Sequence, residues 1–136
     1  QPAIAYFVPG LVYLADAIGT QSETVAVRGL SLSRVGIGHL LGNELRTGLL
    51  MGLVLAALAF PFIWFAFADV RLALAVVTAL VGASTVATML GLLLPWLIGG
   101  LGYDPAYGSG PLATIVQDVV SLLIYFACIS LVVLRV

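Results

Sequence analysis

The segment TGLLMGLVLAALAFPFIWFAFA, residues 47–68, decides the fold because it contains no charged side chain. A hydrocarbon core about 30 Å thick is crossed by a helix of roughly 20 apolar residues, so this segment is long enough to span a bilayer. A backbone in lipid must satisfy its own hydrogen bonds, which an α-helix does within a single segment. Residues 47–68 therefore predict a membrane-spanning helix.

The composition of the whole chain agrees with this prediction. Of its 136 residues, 62% are apolar and 8% are charged, and the mean hydropathy is +1.22. An average soluble domain carries about three times that charged fraction, so too few polar side chains remain to cover a water-soluble enzyme. Five arginines and no lysine exclude a nucleic-acid-binding face. The lone Cys128 excludes a disulfide within the chain, and no nucleophile–base pair or cofactor motif indicates an enzyme.

Three further apolar tracts accompany the central one. We predict an all-α integral membrane protein, a polytopic helix bundle in the cell membrane, with spans at about residues 3–27, 47–68, 72–98 and 111–135. The first tract reaches spanning length only by continuing through Asp16. Pro111 suits the first position of the last helix, with Gly110 as its cap.

The chain starts at Gln1 without a methionine, so we expect preceding residues and treat four spans as a minimum.

The arginines orient the predicted bundle. Three of the five lie in the predicted loop at residues 28–46, at Arg28, Arg34 and Arg46, and the other two are Arg71 and Arg135. Loops on the cytoplasmic side of a membrane carry an excess of basic residues. We therefore expect the loops at residues 28–46 and 99–110 to be cytoplasmic.

The last span carries a carboxylate that needs an explanation. Asp118 lies seven residues beyond Pro111, about 10 Å into the helix at 1.5 Å per residue. A charged carboxylate near the bilayer centre costs at least ~2.5 kcal/mol, and such residues generally face water or other polar groups. Helical spacing groups Asp118 with Thr114, Ser121 and Tyr125 on one polar face.

The first span carries a second polar face. Tyr13, Asp16, Thr20 and Glu23 follow one another at spacings of three, four and three residues. Neither span contains a lysine or arginine at these depths, so a metal cation is the simplest counter-ion. Oxygen ligands without cysteine favour a hard cation such as Mg²⁺, Ca²⁺ or Mn²⁺.

Structural alternatives exist for these acids. Asp16 or Asp118 can be protonated and hydrogen-bonded across a helix interface, where it would serve assembly only. Glu23 can form an ion pair with Arg28 at the surface of the protein.

Two sequence motifs resemble those of a known family. The segment DAIGTQSET at residues 16–24, followed by VRGL at residues 27–30, resembles the Gly-Thr-Gln segment and following Val-Arg-Gly-Leu of the MgtE family of magnesium channels. The segments DPA at residues 104–106 and SGP at residues 109–111, followed by Asp118 and LLIYF, are similar to that family's last membrane helix and the loop before it. Together the two matches extend over essentially the whole chain.

The resemblance implies a five-helix membrane domain that works as a homodimer, of which this chain would supply helices two to five. It implies a pore between the two subunits, lined by the first and last spans of this chain. Asp118 matches the family's main cation-binding residue, and Gly110 and Thr114 match positions that face the ion.

The chain also departs from the family pattern. Ala17 stands where the family often has asparagine, Asp16 is an additional acid, and Ser121 stands where glycine is usual. We expect these differences to affect cation selectivity.

We therefore expect passive movement of hydrated Mg²⁺, or of Mn²⁺, Ca²⁺ or Co²⁺, across the lipid bilayer through a pore at a homodimer interface. Asp118 is the expected main ion-binding residue, and the further expected ligands are Asp16, Thr114, Thr20, Ser121, Gly110 and Glu23. Two alternatives stay open. One is an exchanger coupled to Na⁺ or H⁺, with Asp16 as a second coupling site, and the other is a non-conducting membrane subunit whose polar faces only hold an assembly together.

Overall fold

The computed structural model describes residues 2–32 and 36–134 and shows four long helices. They are α1 at Pro2–Leu32, α2 at Ile37–Phe67, α3 at Val70–Gly100 and α4 at Pro111–Val132, with a 3₁₀ helix at Pro105–Gly108 before α4. Each of the four is long and apolar enough to cross a membrane. The prediction of an all-α bundle with four spans is confirmed.

The connection between α1 and α2 is much shorter than the predicted loop at residues 28–46. α1 continues to Leu32 and α2 starts at Ile37, so Arg28 and Arg46 both lie within helices. Arg34 and Arg135 lie outside the described residues. A helix of 31 residues is about 46 Å long, well beyond the roughly 30 Å of a hydrocarbon core. Arg28 and Arg46 limit how much of α1 and α2 can lie in lipid, but they do not end these helices. The cytoplasmic location of the connection between α1 and α2 remains a prediction.

The other two connections follow the local sequence chemistry. Ala68 adopts a left-handed conformation with φ of 52°, and Asp69 caps α3 by accepting a hydrogen bond from the backbone N–H of Leu72 at 3.0 Å. Gly110 has φ of 66° and ψ of −138°, which only glycine adopts without strain, and it precedes Pro111 at the start of α4. The predicted cap at Gly110 is confirmed.

Helix α3 lies at the centre of the bundle and packs against the other three long helices. α1 and α2 meet only over a short stretch, and in the described part of the chain α2 does not contact α4. The buried side of α3 includes five alanines that are at most 2% exposed: Ala73, Ala75, Ala79, Ala83 and Ala87. Small side chains of this kind let membrane helices approach closely.

Glycines make the closest approaches between helices. A Cβ added at Gly52 of α2 would lie 2.8 Å from the Cα of Val81 in α3. A Cβ added at Gly91 of α3 would lie 2.7 Å from the carbonyl oxygen of Gly19 and 2.8 Å from the Cβ of Ser22, both in α1. The close approach of α1 to α3 therefore requires a residue without a side chain at position 91.

We expect Gly91→Ala to lower the free energy of unfolding by about 1–3 kcal/mol, because the new methyl group must displace the α1 backbone. Gly42→Ala is the matched control, since a Cβ at Gly42 in α2 meets no atom within 4 Å and alanine favours a helix. Unfolding of both variants in detergent, followed by circular dichroism, measures the difference. Equal stability of the two variants would contradict this packing.

Candidate functional site

A surface groove between α1 and α4 contains three of the predicted ligands. Asp16 comes from α1, and Thr114 and Asp118 come from α4. The groove has a volume of about 370 Å³, and its remaining lining residues are Val8, Pro9, Val12, Tyr13 and Leu122. We call it the aspartate groove. Asp16 and Asp118, one from each predicted polar face, therefore line one groove.

Neither carboxylate in the aspartate groove has a described hydrogen-bond donor. Asp16 Oδ1 is buried and has no hydrogen-bond partner among the described residues, and no described group donates to Asp118. Within the described ranges, no three His, Cys, Asp or Glu side chains come together as a ligand set. One chain thus contributes two carboxylates to this groove, which is fewer than a cation site built only from protein ligands requires.

A second groove beside the first contains three more predicted ligands. Thr20, Glu23 and Gly110 line a space of about 340 Å³, together with Thr24, Val27, Arg28 and Ser109. We call it the threonine groove. The hydroxyl of Thr20 donates to the carbonyl oxygen of Asp16 at 2.8 Å, and that of Thr24 donates to the carbonyl oxygen of Thr20 at 2.9 Å. Since these hydroxyl protons are engaged by the backbone, the hydroxyl oxygens remain available as acceptors.

Glu23 is held inside the protein. It is only 4% exposed, and its Oε1 accepts a hydrogen bond from Nε2 of Gln117 at 2.7 Å. Gly110 lines the same groove as this carboxylate. This burial contradicts a position of Glu23 at the protein surface, although Glu23 and Arg28 both line the threonine groove.

Ser121 lies outside both grooves. It is 3% exposed and belongs to a buried row on α4 with a spacing of four residues: Ala113, Gln117, Ser121, Tyr125 and Ile129. A spacing of three residues turns a helix by about 300°, so Ser121 is rotated by about 60° from Asp118. The boundary between the buried row and the groove falls within that angle. The prediction that Ser121 shares the face of Asp118 is corrected accordingly. Tyr125 is rotated from Asp118 by only about 20°, but it is buried where its hydroxyl donates to the carbonyl oxygen of Ile4 in α1.

Two polar residues that tie the helices together were not predicted. Gln117 is 1% exposed, and its spacing of four residues from Ala113 and Ser121 is the signal that could have identified it. Glu44 of α2 accepts a hydrogen bond from the hydroxyl of Ser22 at 2.8 Å, and its carbonyl oxygen accepts one from Thr88 at 2.8 Å. Because Glu44 fell in the predicted loop, its contact with the bundle could not be anticipated.

Comparison with known proteins agrees with the resemblance found in the sequence. Residues 8–128 match the MgtE family, whose description is divalent cation transporter. A magnesium transporter MgtE of Bacillus subtilis is 36% identical over 129 residues, which cover 91% of this chain and 28% of that protein. The proteins of the same name from Enterococcus faecalis and Thermus thermophilus are 35% and 32% identical, over 94% and 92% of this chain and 29% and 28% of their own lengths.

The chain thus spans less than a third of the length of these relatives. The match includes both grooves and parts of all four long helices. The family is one of membrane transporters and not of enzymes, as the composition predicted. The chain belongs to the MgtE family of divalent cation transporters.

Proposed function

We propose that this chain forms the ion pathway of a divalent cation transporter that carries Mg²⁺, with Asp118 as the main ion-binding residue. The observation that carries the proposal is the aspartate groove, where Asp16 and Asp118 lie together without a described hydrogen-bond donor. The relatives named as magnesium transporters support Mg²⁺ as the transported ion. The ion is the cargo of the protein and not a resident cofactor.

The pore is proposed to form between two copies of the chain. The aspartate groove lies at the surface of a single chain, where a carboxylate facing lipid is costly. Exposed apolar side chains of α4 lie beside it, at Ile115, Val119 and Leu123. A second copy related by a two-fold axis would cover these side chains, enclose the groove and bring two Asp118 carboxylates to one ion.

Such a site suits a hydrated ion. Mg²⁺ gives up its water reluctantly, so a few carboxylates bind it through its first shell of water. In this proposal Thr114 and the threonine groove, with Thr20 and Gly110, accept hydrogen bonds from that water. Conduction requires attraction that collects the ion and still releases it. A membrane potential that is negative inside adds about 2.3 kcal/mol per charge per 100 mV, twice that for a divalent ion, and so favours entry.

We expect Asp118→Ala to reduce Mg²⁺ flux to the level of protein-free liposomes, because the main attraction for the ion is removed. The measurement is flux into proteoliposomes loaded with a Mg²⁺-sensitive dye. Ser130→Ala is the matched control, since Ser130 is exposed on the same helix and lines neither groove. Undiminished flux through Asp118→Ala would remove Asp118 from the pathway and overturn the proposal.

Asp16→Asn should weaken the site without abolishing transport. A divalent ion about 5 Å from a carboxylate gains roughly 2 kcal/mol even in a water-like dielectric, so we expect the half-saturating Mg²⁺ concentration to rise at least about tenfold. Flux titrations in the same liposomes measure this concentration, with Ser130→Ala again as the control. An unchanged value would show that Asp16 does not act on the ion.

The same variant separates a channel from the coupled exchanger. The position of Asp16 beside Asp118 is the observation that keeps the exchanger as a second candidate. If flux reverses with an imposed Na⁺ or pH gradient and Asp16→Asn removes that dependence, Asp16 is a coupling site. Flux that ignores both gradients supports the channel.

A further inference from the structure

A buried hydrogen bond joins the two helices that line the aspartate groove. Gln117 of α4 donates through Nε2 to Oε1 of Glu23 in α1 at 2.7 Å, and the two residues are 1% and 4% exposed. Gly110, which caps α4, lines the threonine groove together with Glu23. Glu23 therefore holds a side chain of α4 that lies two turns beyond the Gly110 cap.

The surroundings of Gln117 leave it little freedom to move. Its carboxamide lies directly against Gly19 of α1, where a side-chain Cβ would overlap with the Gln117 amide atoms. Behind Gly19, the backbone of α1 contacts Gly91 of α3. The Oε1 atom of Gln117 is buried and has no described donor, so the bond from Nε2 to Glu23 is the described polar contact that orients the side chain.

This contact lies close to both groove carboxylates along their helices. Gln117 immediately precedes Asp118, and Glu23 follows Asp16 by seven residues, which is two turns along the same side of α1. A slip of α4 along α1 would break the Glu23–Gln117 bond. The same slip would change the separation of Asp16 and Asp118, because each is carried rigidly by its helix.

We propose that Glu23 and Gln117 are positioning residues, which set the separation of the groove carboxylates without contacting the ion. The inference rests on the proposed function, because it concerns the same cation site. It also assigns Glu23 a different role from the ion ligand expected from the sequence. The Glu23 carboxylate already receives a buried hydrogen bond from Gln117, whereas Asp16 and Asp118 receive none from the described residues.

The substitutions at Glu23 distinguish the two roles. A ligand role requires the negative charge, whereas a positioning role requires an oxygen that accepts a hydrogen bond from Gln117. Glu23→Gln removes the charge and keeps that acceptor, and Glu23→Leu removes both. Gln117→Leu removes the donor and leaves the carboxylate in place.

The measurement is the half-saturating Mg²⁺ concentration for flux in proteoliposomes, per amount of protein that elutes as a folded species in detergent. We expect Glu23→Leu and Gln117→Leu each to raise it roughly tenfold or more, as loss of supporting groups around metal sites does. Combining the two should add little, since both remove one bond. Glu23→Gln should restore the value to within about twofold of the original chain.

An equal loss of affinity in Glu23→Gln and Glu23→Leu would overturn the inference and show that the charge itself acts on the ion. Normal affinity in both leucine variants would also overturn it. If the leucine variants do not fold, Glu23→Gln alone decides, with retained affinity supporting the positioning role. Flux that survives Asp118→Ala would instead reject the proposed function, so the two failures are distinguishable.

Discussion

A carboxylate in hydrocarbon must be compensated by a donor, by water or by a cation, and this requirement governs the part of the bundle formed by α1 and α4. The structure meets it in two different ways. Glu23 is compensated from within the protein, by the hydrogen bond from Gln117. Asp16 and Asp118 share a groove in which no described residue donates to them. We propose that this difference separates an acid that supports the structure from acids that bind the ion.

Helix α3 makes the open groove possible by providing most of the packing itself. It contacts each of the other three long helices through alanines and through close approaches such as that at Gly91. Because α1 and α4 are both anchored on α3, their outer sides do not have to be filled by side chains of this chain. The packing of α1 and α4 on α3 therefore accounts both for the close-packed centre of the bundle and for the polar groove at its surface.

The helices and the facing of Asp16 and Asp118 could be predicted from the sequence, since they depend on the lengths of apolar segments and on helical spacing. The limits of α1 and α2 could not, because arginines restrict what enters lipid but do not end a helix. The contact of Glu23 with Gln117 was also missed. It depends on which side of α4 is buried: Ser121 and Gln117 lie about 60° and 100° around the helix from Asp118, and both are in the interior. Only packing against α1 and α3 fixes which side that is.

The most direct test of the central claim is an anomalous-scattering map from crystals of the protein soaked in Mn²⁺, a divalent ion that also prefers oxygen ligands. We expect a peak in the aspartate groove, on a two-fold axis between the Asp118 carboxylates of two copies. A map with no peak there, in crystals where Asp118 instead faces lipid or a dry apolar contact, would contradict the account.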